Sequence, residues 1–386
     1  MLKLVSLILI CCTGIVATAQ TYFASKSDSV LRASFAIGNY KKVMHLTDSL
    51  HKIDAAYFDT YQLAAAAAYL DNKMFKQNHY LKIALQNAPA DSITQTHLFY
   101  NYLATQQYAQ AQKMQHQLVK SNKILASNKV NLTMLQTDAG VKISSDKSLY
   151  NNMWFGFIGA AIPLKSILSY HAITYLNQKN PFGDINQIQY YLNLPFALKK
   201  GWQINLATHL IHYNITNYNP LLINDQLATA TPILVGGGIS KHNKNVQYSL
   251  NAYYSNLNQQ IQFQIVPSVL YYPFSNTKLS MQLDVNYLTE KNHLAPFIQV
   301  VYLPTTKLKI TAGYTHANAK NYSELNGLLV NNSFDATTNR YALNVAYQLT
   351  NHLGIVVVTQ LENKTETYTN YAYQYFIVGL GIKYTF

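Results

Sequence analysis

Charge is scarce in this sequence. Of 386 residues only 16 are acidic and 29 basic, so charged side chains make up 12%, about half the share of an ordinary soluble domain. Cysteine is almost absent: Cys11 and Cys12 both fall in an N-terminal apolar run, and a chain cleaved after that run keeps no thiol, disulfide or cysteine metal ligand. Beyond the N-terminus no apolar run reaches the ~18 residues of a membrane-crossing helix, which excludes a helical membrane protein. A transmembrane β-barrel passes the same test, because each of its strands needs only ~10 alternating residues. Also missing are HExxH, a phosphate-binding loop and a dinucleotide fingerprint, so no catalytic motif, metal or cofactor is expected. The net charge of +13 comes from lysines scattered through turns, such as Lys199-Lys200, Lys241, Lys244 and Lys278, with no arginine stripe. Nucleic acid is therefore not an expected partner.

What replaces charge is uncharged polarity, with Asn, Gln and 32 tyrosines beside an apolar fraction of 49%. At the N-terminus, Lys3, the run Leu4 to Val16 and the small-x-small triplet Ala17-Thr18-Ala19 before Gln20 read as a secretory signal peptide over 1–19.

Residues 20–126 follow a helical period that repeats. Gly38-Asn39-Tyr40, Asn72-Lys73-Met74-Phe75 and Gln106-Gln107-Tyr108 each separate two helical stretches, and the aromatics Tyr40, Phe75 and Tyr108 recur at spacings of 35 and 33. Small residues Ala64 to Ala68 suit close helix–helix approach. A period near 34 with helix–turn–helix units resembles tetratricopeptide repeats, with Gly38, Tyr40, Phe75 and Tyr108 as turn and packing positions. Stacked pairs of this kind present a groove for a peptide or protein, or serve as a rigid spacer.

From 127 to 386 the period is two. About fourteen strands can be drawn, from 131–143 to 370–386, with twelve remaining possible. Tight turns alternate with longer connections, the longest near 215–228 and 318–337, as in barrels with short periplasmic turns and long external loops. If both ends of this region lie on the periplasmic side, the strand count is even. In the last strand Phe376, Val378, Leu380, Ile382, Tyr384 and Phe386 alternate with Gly379, Gly381, Lys383 and Thr385. That strand resembles the closing strand of outer-membrane barrels, and the resemblance makes Phe386 and Tyr384 part of the signal read by the barrel assembly machinery.

Alternation also sorts the faces. Met281, Leu283, Val285 and Tyr287 oppose Gln282, Asp284 and Asn286; Tyr341, Leu343, Val345 and Tyr347 oppose Arg340, Asn344 and Gln348. The apolar set faces lipid, and a lumen of Asn, Gln, Ser, Thr and Tyr is expected. The inward charges Asp284, Lys309, Arg340 and Lys383 then either form a selectivity ring or neutralise one another. His209 and His212 fall on opposite faces and His171 stands near Ser169, but no spacing singles out a Ser–His–carboxylate set, so an enzyme is not expected.

The fold class is thus an all-α tetratricopeptide-like repeat domain followed by an antiparallel transmembrane β-barrel. In that domain order the chain resembles YaiO-type outer-membrane proteins and the repeat-containing exopolysaccharide export porins. The resemblance implies an outer-membrane channel for a saccharide or small polar solute, with periplasmic repeats recruiting a protein partner. A non-conducting scaffold that anchors the repeats is the alternative. Fatty-acid transporter barrels, a third class, carry an N-terminal plug instead of repeats.

Overall fold

A computed structural model describes residues 27–120, 133–148, 150–180, 183–217, 228–257, 260–289, 292–366 and 369–386. The expected signal peptide and most of the expected loop at 215–228 lie outside these residues. The chain divides into two compact units after Gln107, rather than near 126.

In the first unit α1 spans 27–36, followed by α2 (Tyr40–Lys52), α3 (Phe58–Leu70), α4 (Met74–Asn87) and α5 (Ser92–Ala104). Local chemistry sets the starts: Asn39 caps α2 by accepting from the Lys42 N–H at 3.2 Å, and Asp91 caps α5 by accepting from Thr94 at 2.7 Å. Gly38, Asn72 and Gln106 all adopt left-handed backbone, with φ of 77, 55 and 58°. Each is followed by the same bond to a carbonyl in the preceding helix: Asn39 to Ser34, Lys73 to Ala68 and Gln107 to Tyr102, at 2.9, 2.7 and 2.9 Å. Donors and acceptors step by 34 positions each time, so the period is written in the backbone as a repeated Schellman-type helix end.

The aromatic register differs from that expected. Tyr40 and Tyr108 open their helices, but the equivalent first position after the second turn is Met74, and Phe75 lies one residue on. One residue turns a helix by ~100°. Phe75 is therefore buried in the core, whereas Tyr40 is half-buried and Tyr108 exposed. Ala64, Ala65, Ala67 and Ala68 are buried on α3, which packs on both α2 and α4. Between α4 and α5, Asn78 Nδ2 donates to Asn101 Oδ1 at 2.8 Å, satisfying two buried amides at once.

The second unit begins with α6 (Tyr108–Lys120). Its Gln112 side chain donates to Lys165 O and its Lys113 ammonium to Ala197 O, both carbonyls at strand turns. These bonds tie α6 to the second unit.

The strands are β1 (Met134–Ser144), β2 (Met153–Leu164), β3 (Ile167–Asn180), β4 (Gly183–Ala197), β5 (Trp202–Asn217), β6 (Ala228–Ala230), β7 (Ile233–Asn243), β8 (Val246–Ser255), β9 (Gln262–Tyr271), β10 (Leu279–Leu288), β11 (His293–Tyr302), β12 (Leu308–Glu324), β13 (Leu329–Gln348), β14 (Leu353–Thr365) and β15 (Ala372–Thr385). Short β6 pairs with the end of β5, and Pro232 separates it from β7. Leaving β6 aside, fourteen strands pair antiparallel in sequence order, and β15 returns to β1 from Met134↔Thr385 to Ser144↔Tyr375. The barrel is closed. Closure gives every strand two partners, which a sheet in hydrocarbon requires because an open edge strands its N–H and C=O groups.

The faces follow the alternation. Leu283, Ile298, Leu343, Leu380 and Ile382 are exposed outward, while Asp284, Asn286 and Arg340 are buried inward. Exposed aromatics end the apolar band: Trp202, Tyr248, Tyr271, Tyr302, Tyr347 and Tyr384 at the tight-turn end, and Trp154, Phe263 and Phe376 toward the other. From 263 to 271 a strand rises about 27 Å, or about 21 Å along a barrel axis tilted ~40° to it, close to the ~25 Å apolar band of membrane barrels.

One expected loop is not a loop. The segment 318–337 continues β12 to Glu324, turns at Leu325–Gly327 and returns as β13. Beyond Phe297↔Thr315 the described pairing of β12 with β11 ends, the β12–β13 register shifts between His316 and Ala319, and Asn318 sits at φ 45°. There the hairpin leaves the wall and bends inward. Ala317, Ala319 and Tyr322 then pack on Leu288 and Ala295 of the inner surface.

Candidate functional site in the barrel lumen

The hairpin tip is held across the lumen by strands far from it in sequence. His209 Nδ1 lies 2.9 Å from Gly327 O, and its Nε2 lies 2.9 Å from Gln189 Oε1, so whichever nitrogen carries the proton both carbonyls face a ring nitrogen. Tyr191 OH donates to Asn326 O at 2.9 Å. Gln264 clasps Ser323, donating to its carbonyl at 2.7 Å and accepting from its N–H at 2.9 Å. Leu328 and Val330 pack on a buried cluster of Ala172, Tyr191, Ala207, Leu234, Tyr253 and Val266.

The tip fits with little space to spare. Leu325, Asn326 and Gly327 are consecutive left-handed residues, and a Cβ on Gly327 would stand 3.1 Å from Leu234 and 3.5 Å from Tyr253. Left-handed leucine is disfavoured, so the contacts around it over-determine the turn.

The hairpin leaves two cavities. One, of about 230 Å³, is polar and lined by Asn205, Asn251, Ser268, Gln282, Asp284 and Glu324. The other, of about 500 Å³, is mixed: Phe155, Phe157, Leu176, Ile185, Leu328 and Val358 supply apolar wall, and Gln187, Gln360 and Asn344 supply amides. The uniformly polar lumen expected from alternation therefore holds for the smaller cavity alone. Inward positions on β2, β3 and β14 carry aromatic and aliphatic side chains because the hairpin gives them something to pack against.

Of the four charges expected to face inward, Asp284 and Arg340 are buried in the lumen, and neither pairs with another of the set. Asp284 accepts from Ser268 Oγ and from Gln282 Nε2. Arg340 pairs with Glu324 at the base of the hairpin tip, and Thr315 Oγ1 donates to the other oxygen of that carboxylate at 2.8 Å. Lys309 and Lys383 share the tight-turn end, near enough to act on each other. The ion-pair partners were absent from the expected set: Glu324 for Arg340, and the separate pair of Lys142 with Glu362; Lys364 donates to Thr337 Oγ1 at 3.1 Å. Lys142 Nζ donates to Glu362 at 2.5 Å and lies 4.3 Å above the Tyr375 ring. Asp335 Oδ2 accepts from the hydroxyls of Tyr150 and Tyr373 at 2.8 and 2.7 Å. In the larger cavity Asp138 Oδ1 and Asn344 Oδ1 are buried acceptors without a hydrogen-bond partner.

The serine and histidine singled out by sequence do meet, on the outer face. His171 Nε2 lies 3.2 Å from Ser169 Oγ and its Nδ1 2.9 Å from Tyr190 OH. Ser169 is wholly buried and donates to Ile162 O, so a substrate cannot reach its hydroxyl. Among the described residues no three His, Cys, Asp or Glu side chains gather as a metal site.

No protein-family model matches the chain, and no curated protein is similar to it. Among solved structures it is similar to a TodX mutant monoaromatic hydrocarbon channel, with a TM-score of 0.46 at 8% identity over 67% of this chain and 91% of that one. A Pseudomonas aeruginosa FadL homologue scores 0.40 at 10% identity, covering 67% and 91%. A bacterial polysaccharide outer membrane secretin scores 0.37 at 8% identity, covering 67% and 99%.

Proposed function

We propose that the chain is an outer-membrane solute channel held shut by its own β12–β13 hairpin. The observation that carries this reading is the hairpin seated in the lumen beside a cavity of about 500 Å³, within the usual range of small-molecule sites. The solute is small and neutral, with an apolar face and hydroxyl groups, a description that includes saccharides. Two features support that class. Arg340 and Lys142 are each committed to a carboxylate, so neither is free to bind an anionic solute. Asp138 Oδ1 and Asn344 Oδ1 can accept from a hydroxyl, while Phe155 and Phe157 offer ring faces to an apolar surface.

In the same reading the tight turns face the periplasm, lipid surrounds the outer band, and the barrel assembly machinery reads Tyr384 and Phe386. The helical repeats recruit a periplasmic protein. The alternative of a non-conducting scaffold draws on the same hairpin, which is bonded to several strands. Planar-bilayer recordings of the full chain and of a variant with 319–330 replaced by a short turn separate the two. A channel gives rare or no openings in the full chain and steady conductance, blocked by neutral oligosaccharide, in the variant. A correctly assembled variant that stays electrically silent refutes the channel.

A further inference from the structure

Five of the six turns at the tight-turn end of the barrel carry lysine, and none carries an acid. Lys165, Lys199, Lys200, Lys244, Lys278 and Lys307 are all exposed, and the turn segments 163–166, 198–201, 243–245, 272–278, 303–307 and 349–352 contain no Asp or Glu. Lys241 joins them from the outer face of β7, its ammonium 4.9 Å from the centroid of the Trp202 ring. The opposite end mixes signs instead: Asp146 adjoins Lys147, and Lys179 stands opposite Asp184. In sequence these lysines look scattered. The strand order brings them to one rim.

That rim coincides with the aromatic row of Trp202, Tyr248, Tyr271 and Tyr302, whose amphipathic rings mark the level of lipid headgroups. Lysines on a rim of one sign repel each other and require counter-charge. The helical unit does not supply it, since 27–107 holds six aspartates against seven lysines and arginines. The turns that carry lysine run from β2–β3 to β11–β12, most of the way round the barrel, whereas a single docked protein covers one side.

We propose that this collar binds the anionic phospholipid headgroups of the leaflet on the tight-turn side. Each ammonium donates to phosphate oxygens while its alkyl stem lies along the aromatic belt, as Lys241 does on Trp202. A lysine near an anionic leaflet strengthens association about fivefold. The inference is independent of whether the barrel conducts.

The test is boundary-lipid selectivity of the full chain in phosphatidylcholine vesicles, read by electron paramagnetic resonance with spin-labelled phosphatidylglycerol and phosphatidylcholine. Lys165, Lys200 and Lys244 have φ of 54, 56 and 52°, so they are changed to Asn, which tolerates left-handed backbone; Lys199, Lys278 and Lys307 are changed to Gln. Heat-modified gel mobility verifies that the variant barrel closes. The wild type should prefer phosphatidylglycerol several-fold, and the preference should fall toward parity in the sixfold variant and at ~1 M salt. Parity in the wild type overturns the proposal, as does a preference that survives the six substitutions. So does a wild type that ignores lipid charge yet binds polyglutamate.

Discussion

Replacing Arg340 by methionine leaves Glu324 inside the lumen without the guanidinium that donates to it. In the closed barrel the side chains of this pair are 6% and 2% exposed, so the carboxylate has little water to turn to. Removing one partner of a buried pair costs about 3–5 kcal/mol. When the hairpin swings out of the lumen Glu324 hydrates and the penalty disappears, so the substitution weighs on the closed state alone. Against it stand the tip's hydrogen bonds through His209, Tyr191 and Gln264, about 0.5–1.5 kcal/mol each, and the packing of Leu328 and Val330. The change therefore removes much of what holds the hairpin, and the open-to-closed ratio should rise by about two orders of magnitude or more. Single-channel recording in planar bilayers measures that ratio as open probability. Adding Glu324→Gln to Arg340→Met removes both charges and should restore closure, because replacing a whole buried pair by uncharged groups is close to neutral. An open probability unchanged by Arg340→Met, in a barrel shown by gel mobility to be closed, refutes the gating role of the pair.

Two further outcomes follow from other parts of the chain. Leu283→Arg places a charge on the lipid face of β10 and should weaken membrane assembly by about 2–4 kcal/mol, read as urea-dependent folding into lipid vesicles; normal assembly contradicts the face assignment. In the helical unit, burial lowers the Lys82 pKa to about 8. The folded state thus binds fewer protons than the unfolded chain between pH ~8 and ~10.5, so stability is depressed below the folded-state value and recovers as pH rises toward the unfolded one. Lys82→Met should raise helical stability by about 1 kcal/mol at pH 7, after allowance for its partial exposure and for the Tyr102 ring 5.3 Å away, and by nothing near pH 11. Thermal loss of ellipticity at 222 nm in the full chain at the two pH values checks it.

Much of the barrel was legible because its signals are local. Period two decides the face of each residue on its own strand, and the alternation of Leu380 and Ile382 with Gly381 and Lys383 needs no neighbour to be read. The helical period was legible for the same reason, in Gly38, Asn72 and Gln106, although the aromatic at 75 lay one place from its repeat position. The hairpin was not, since Asn326-Gly327 makes the same turn in an external loop as in an inward one. One sign was available: Leu325, Leu328, Leu329 and Val330 form an apolar group at the tip of a segment expected to stand in water.

The inward charges show where local reading ends. Alternation pointed Arg340 and Asp284 into the lumen, but whether they met each other or other partners depended on strand order and hairpin path. Lys142 and Glu362 lie 220 residues apart, and Arg340 meets Glu324 only because β12 leaves the wall. The sequence by itself determined a helical repeat, a two-faced strand series and a membrane-facing band, since each is fixed by backbone periods of a few residues. The tertiary structure alone decided that the hairpin lies inside the lumen, because that rests on Gly327 reaching His209 across 118 residues of chain, a contact with no local period to announce it.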